Sequence, residues 1–169
     1  MKPVLVLVGP PGAGKSTVGR LAAQRLGVGF RDVDADIVAS TGKSIAEVFI
    51  DDGEEHFRAL ERAAVRTALA EHDGVLSVGG GAVLSESTRD LLAQHTVALL
   101  HVDLGNATSR VGLNRDRPVL ALNPRAQLKI LLEQRMPLYR EVATLTVDTN
   151  GRTAKQVVDA LLDALASPA

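Results

Sequence analysis

The chain has 169 residues, 46% of them hydrophobic, and a formal net charge of −1. That suits one domain with a sizeable core and excludes a global basic field for nucleic acid or a membrane surface. There is no cysteine, so disulfides and thiolate metal sites are excluded, as fits a reducing cytoplasm. With three Phe, one Tyr and no Trp, the core has to be built from Val, Leu, Ile and Ala.

Val4–Val8 is a continuous apolar run ending in Gly9 and reads as a buried strand; it is too short for a signal segment or a membrane span. Lys15–Leu26 follows as a helix with Val18, Leu21, Ala22 and Leu26 on one side, stopped by Gly27. Phe30–Asp32 is a short second strand, and Ala35–Ser40 is helical. Ser44-Ile45-Ala46-Glu47 is a capping box that opens a helix to Asp52. Glu54–Ala70 is a longer helix with Phe57, Leu60, Ala64 and Ala68 at helical spacing. Val75–Val78 is a third strand, followed by the turn Gly79-Gly80-Gly81.

Glu86–Ala93 reads as a helix, Val97–Val102 as a strand and Ala107–Leu113 as a helix. Asn114–Asn123 has no periodicity and reads as a mobile loop. Arg125–Gln134 is helical and Leu145–Asp148 is the last strand. Thr153-Ala154-Lys155-Gln156 is a second capping box, opening a terminal helix with Val157, Leu161, Leu162 and Leu165 inward. Ser167-Pro168-Ala169 is a dispensable tail. Strands alternate with helices throughout, which predicts an α/β fold: a three-layer α/β/α sandwich on a five-stranded parallel sheet, as one domain over residues 1–169. His56, His72, His95 and His101 show no paired metal-ligand spacing.

The chemistry-bearing signal is Gly9-Pro10-Pro11-Gly12-Ala13-Gly14-Lys15-Ser16-Thr17, a P-loop placed between a predicted strand and a predicted helix. Its glycines let successive backbone N–H groups turn toward phosphate oxygens, and the helix start adds its positive dipole end. Lys15 is placed to reach the outer phosphates, and Ser16 supplies a hydroxyl to Mg²⁺. The expected ligand is therefore a nucleoside triphosphate with Mg²⁺, gripped by Gly12, Ala13, Gly14, Lys15, Ser16 and Thr17. No Asn-Lys-x-Asp motif is present, which argues against a GTPase. The third strand ends Leu76-Ser77-Val78-Gly79 without an acid, so the carboxylates available to Mg²⁺ are Asp32 and Asp34 after the second strand.

Five short motifs narrow the class: Asp32-Val33-Asp34, Phe57-Arg58, Gly79-Gly80-Gly81-Ala82, Arg117-Pro118-Val119-Leu120 and Arg135-x-Pro137-Leu138-Tyr139. In this order the chain resembles the shikimate kinase family across essentially its whole length. The resemblance implies a P-loop kinase with substrate-binding helices over about residues 34–62 and a lid over about 112–124. It implies transfer of the ATP γ-phosphoryl group to the 3-hydroxyl of shikimate. Arg58 and Arg135 then bind the shikimate carboxylate, and Gly79, Gly80 and Gly81 line its pocket. Asp34 orients or deprotonates the accepting hydroxyl, and Asp32 holds Mg²⁺ with Ser16. Arg117 arrives with the lid, and Arg110 and Arg152 lie at the adenine. Position 119 is Val where the family commonly has Leu, and Thr149–Lys155 lacks a proline that some members carry in the adenine loop.

A gluconate kinase-like or other small-molecule kinase remains the alternative, because gluconate also joins a carboxylate to hydroxyls. A nucleotide-binding module without catalysis is disfavoured by the full set Lys15, Ser16, Asp32, Asp34 and Arg117. A cytoplasmic monomer with no nucleic-acid or membrane partner is expected.

Overall fold

The computed structural model describes residues 2–111 and 124–167. Five strands, β1 (Leu5–Val8), β2 (Phe30–Asp32), β3 (Val75–Ser77), β4 (Val97–His101) and β5 (Leu145–Asp148), form one sheet in the order β2-β3-β1-β4-β5. Every neighbouring pair is parallel, with Leu5 opposite Val75 and Val6 opposite Val97 across the central strand. Helices α1 (Lys15–Leu26), α2 (Val33–Thr41), α3 (Ile45–Asp52), α4 (Glu54–Glu71), α5 (Glu86–Leu92), α6 (Leu104–Val111), α7 (Pro124–Val142) and α8 (Ala154–Ala166) cover it, and a 3₁₀ turn spans Ala82–Leu84.

The strand β1 is apolar throughout because both of its faces are covered. Leu5 and Leu7 point into a core shared with Val18 and Ala22 of α1 and Leu161 of α8. Val6 and Val8 point into a second core with Ile37 of α2, Phe57 and Val65 of α4 and Leu92 of α5. This alternation produces the expected three layers. Helix α7 feeds both cores, through Leu128 and Leu131 on one side and Tyr139 and Val142 on the other.

Both capping boxes form. The Ser44 hydroxyl accepts from the Glu47 amide at 3.1 Å, and Thr153 accepts from the Gln156 amide at 3.2 Å. Each cap contributes about 1 kcal/mol by satisfying helix-end donors.

Several boundaries differ from the sequence expectation, each for a local reason. Helix α2 begins at Val33 rather than Ala35, because Asp32 is its N-cap. Helix α6 begins at Leu104 rather than Ala107, and the Asp103 carboxylate accepts from the Asn106 amide at 2.8 Å. Helix α7 runs through Pro137 to Val142 instead of stopping at Gln134. Proline removes one helical donor and disfavours a helix interior. Burial of Tyr139 and Val142 outweighs that loss. The inward stripe of α4 is Phe57, Glu61, Val65, Ala68 and Leu69, with Leu60 and Ala64 only partly buried. On α1 the buried set is Val18, Gly19, Ala22 and Ala23, and Leu26 is exposed. The loop Asn114–Asn123 and Leu113 lie outside the described residues, as do Pro168 and Ala169.

One close approach fixes the start of the β2–β3 pairing. A Cβ on Gly74 would lie 2.1 Å from the Gly29 carbonyl oxygen, and that same oxygen accepts from the Val75 amide at 2.9 Å. Backbone cannot yield there as a side chain could. Gly74→Ala is expected to lower the unfolding free energy by about 1–3 kcal/mol, read from urea melts. An unchanged midpoint would show that the strand entry shifts without cost.

Candidate active site

Because the strands are parallel, all their carboxyl ends meet one edge of the sheet. Central β1 lies between β3 and β4, and the chain continues to opposite sides of it. That divergence opens a crevice at the carboxyl ends, the usual ligand site of such sheets. The loop after β1 fills the crevice.

Gly14 is the N-cap of α1 with φ 84° and ψ 24°, a left-handed conformation in which a side chain would be strained. Ala13 is buried in the α1–α8 core and its amide donates to the Pro10 carbonyl at 3.2 Å. Lys15 lies over the loop, its Nζ donating to the carbonyls of Gly9 at 2.7 Å and Pro10 at 3.2 Å. Thr17, Ser77, Val78 and Gly79 join Pro11, Gly12, Gly14, Lys15 and Ser16 around a cleft of about 210 Å³, with Asp32 and Asp34 on its wall. The cleft thus combines glycine-rich backbone, an ammonium and a helix N-terminus, which is the chemistry of phosphate binding.

Asp32 uses its two oxygens separately. Oδ1 accepts from the Asp34 amide at 3.0 Å and caps α2, while Oδ2 accepts from the Ser16 hydroxyl at 3.1 Å. Burial holds the Asp32 carboxyl above its ordinary range, and the neighbouring Asp34 charge adds to the shift. Two crowded carboxylates and a serine hydroxyl are hard oxygen donors, a set that fits Mg²⁺.

The Gly79–Gly81 turn leaves β3 and separates this cleft from a second cavity of about 470 Å³, lined by Glu54, Arg58, Glu61, Arg62, Gly81 and Ser85 among others. Side chains pack directly on the glycines. A Cβ on Gly79 would lie 2.8 Å from Glu61 Oε2 and 2.9 Å from Asp34 Oδ1. A Cβ on Gly81 would fall within the Arg58 guanidinium. Arg58 is ion-paired to Glu61 at 2.9 Å and to Glu54 at 3.5 Å. Its guanidinium also sits 5.3 Å from the Phe57 ring centroid and 5.9 Å from that of Phe49, and these two rings stack. Two of the three phenylalanines thus support the arginine.

Arg135 is buried on α7. Desolvation lowers its guanidinium pKa, with the Arg58 charge acting in the same direction and Tyr139 and Glu61 opposing. Among the described residues no ion pair joins it to a carboxylate. Arg152 is exposed in the turn after β5, its guanidinium donating to the Asp148 carbonyl at 3.1 Å, at the same edge of the sheet. The expected lid over residues 112–124 falls almost wholly outside the described residues, as do Arg117 and the side chain of Arg110.

Comparison with known proteins decides the family. The shikimate kinase family model matches residues 11–166. The chain belongs to the shikimate kinase family. It is 63% identical over 157 residues to a shikimate kinase of Salinispora tropica, covering 93% of this chain and 94% of that protein. A shikimate kinase of Streptomyces coelicolor is 57% identical, with 96% and 95% covered. The structure of the Acinetobacter baumannii shikimate kinase in complex with shikimate superposes with a TM-score of 0.93 at 36% identity, covering 98% of this chain and 93% of that one.

In this shikimate kinase-family fold, Glu61 is the site residue that sequence reasoning missed. It is 3% exposed and touches both the glycine turn and Arg58. A glutamate on a helix reads by default as solvated. Its spacing of four from Phe57 and Val65, with Arg58 three residues before it, was the available signal. Burial raises the Glu61 carboxyl above its ordinary range, against the opposing pull of Arg58. A raised folded-state pKa contributes stability below the ordinary glutamate range, and that contribution is lost as pH rises through the elevated value. Glu61→Gln removes this titration. The stability of the wild type relative to the variant is therefore expected to be greatest at acid pH and to shrink toward neutrality, read from thermal melts across that range. A relative stability that grows with pH would contradict the assignment.

Proposed function

We propose that the chain transfers the γ-phosphoryl group of ATP to the 3-hydroxyl of shikimate, giving shikimate 3-phosphate and ADP, at the two cavities that share the glycine turn. The observation that carries this reading is the pairing of Arg58, packed on Gly81, with buried Arg135, which lacks a carboxylate partner among the described residues. Guanidinium forks bind a carboxylate bidentately. A hydroxylated ring held by its carboxylate at that end would present hydroxyls toward Asp34, whose Oδ1 faces Gly79 on the phosphate side of the turn.

The roles follow from position. The P-loop residues Gly12, Ala13, Gly14, Lys15, Ser16 and Thr17 bind the ATP phosphates, and Lys15 exchanges its contacts with the Gly9 and Pro10 carbonyls for phosphate oxygens. Ser16 and Asp32 hold Mg²⁺, which when bound neutralises charge on the phosphates. Asp34 orients the accepting hydroxyl. A free aspartate titrates near ~3.9 and is a weak base at neutral pH, but phosphoryl transfer passes through a loose transition state that demands little base strength. Gly79, Gly80 and Gly81 line the acceptor pocket. Arg117 closes over the reacting groups and excludes water, and Arg110 and Arg152 contact the adenine.

The protein acts as a single-domain monomer in the cytoplasm, without nucleic-acid or membrane partners. Among the described residues no helix is long and apolar enough to cross a membrane.

The reading is tested with a panel of acceptors, ATP and Mg²⁺ in one coupled assay. ADP release is expected with shikimate and not with gluconate or nucleoside monophosphates. Millimolar shikimate giving no ADP above background would sink the proposal, and turnover of gluconate would replace it. Arg58→Ala is expected to raise the KM for shikimate by about ten- to one-hundredfold, the range of a lost charge-assisted hydrogen bond, with the KM for ATP little changed. An unaltered shikimate KM would place the carboxylate elsewhere.

A further inference from the structure

The segment Arg135-x-Pro137-Leu138-Tyr139 has one residue to which the proposed chemistry gives no task. Tyr139 is fully buried, and its hydroxyl donates to the Gly80 carbonyl oxygen at 2.5 Å, across 59 residues of sequence. The other two carbonyls of the glycine turn are held by the turn itself, Gly79 accepting from the Ala82 amide and Gly81 from the Leu84 amide, both at 3.1 Å. Arg135, one helical turn before Tyr139 on the same helix, lies near enough to feel its phenol electrostatically. On its other side Gly80 is wedged against the P-loop: a Cβ there would lie 3.1 Å from Pro11 Cδ and 3.4 Å from the Gly9 carbonyl oxygen.

The peptide joining Gly80 to Gly81 is trans, like every described peptide. In a trans peptide the C=O and the following N–H point to opposite sides of the chain. With the Gly80 carbonyl bonded to Tyr139, the Gly81 N–H points to the opposite side of the peptide, and Gly81 itself lines the acceptor cavity. A peptide flanked by glycines has little intrinsic preference between this orientation and its flipped alternative. The orientation therefore has to be imposed from outside the turn.

We propose that Tyr139 is a positioning residue for phosphoryl transfer: its hydroxyl fixes the orientation of the Gly80–Gly81 peptide so that the Gly81 N–H is presented to the acceptor. This deepens the proposed function and rests on its assignment of the acceptor cavity. Tyr139 touches neither substrate. It acts through the glycine turn.

The test compares wild type, Tyr139→Phe and a control core variant, Leu161→Val on α8, which is buried far along the chain from the turn. Shikimate KM, ATP KM, kcat and melting temperature are measured for each. Tyr139→Phe is expected to raise the shikimate KM about five- to tenfold, the scale of one lost hydrogen bond, while the ATP KM stays within about twofold. Leu161→Val is expected to lower the melting temperature and leave both KM values within about twofold. A second readout is amide hydrogen exchange at Gly81 without substrates, expected to differ between wild type and Tyr139→Phe by about tenfold or more. A Tyr139→Phe enzyme with unchanged shikimate KM, or with both KM values raised in parallel, would overturn the positioning role. Wild type inactive on shikimate would overturn the function itself, and is visible in the same assay before any variant is compared.

Discussion

An all-parallel sheet sends every strand-to-helix turn to one edge, and the arrangement of this site depends on that constraint. The turns after β1, β2 and β3 leave the sheet side by side, because β2, β3 and β1 are adjacent in it. They bring the P-loop, the Asp32–Asp34 pair and the glycine turn together from residues spread over some seventy positions of the sequence. The strands themselves are short, and their polar contribution to the site is confined to their carboxyl ends, Asp32 of β2 and Ser77 of β3. What they supply is a rigid edge, with β1, β3 and β4 buried at its centre, from which the turns project at fixed spacing.

The glycine turn acts as a thin partition. Gly79 lines the P-loop cleft and Gly81 the second cavity, so under the proposed function two substrates would approach one another across backbone alone. The absence of side chains on the turn is used by its neighbours. The Asp34 and Glu61 carboxylates and the Arg58 guanidinium all occupy space that a Cβ would need. Arg58 is held in turn by the Glu61 ion pair and by two stacked phenylalanine rings, which restricts a long side chain before any ligand arrives. Preorganisation of this kind reduces the ordering cost of binding.

Much of this was legible in the sequence where local chemistry decides the structure. The two capping boxes, the bounds of β2 and β5 and the span of α1 depend on residues close in the chain, and they form as read. The P-loop is likewise a local pattern. What was not legible depends on tertiary burial. The sequence reading ends this helix at Gln134, but it continues through Pro137 because Tyr139 and Val142 are drawn into the core beyond it. Glu61 reads as a surface residue until α4 is packed against the turn. The alternating fate of Leu60 and Glu61, one half-buried and apolar, the other buried and charged, follows from which face of α4 meets the glycines rather than from hydrophobicity.

The scarcity of aromatics has a consequence beyond packing. The chain contains no tryptophan and a single tyrosine, and that tyrosine is Tyr139, with its hydroxyl bonded to the partition between the two cavities. Ultraviolet emission excited on the long-wavelength side of the three phenylalanines therefore originates at one phenol bonded to the glycine turn. The protein carries a native optical reporter there, free of background from elsewhere in the fold, and events at the glycine turn can be followed in solution without attaching a dye.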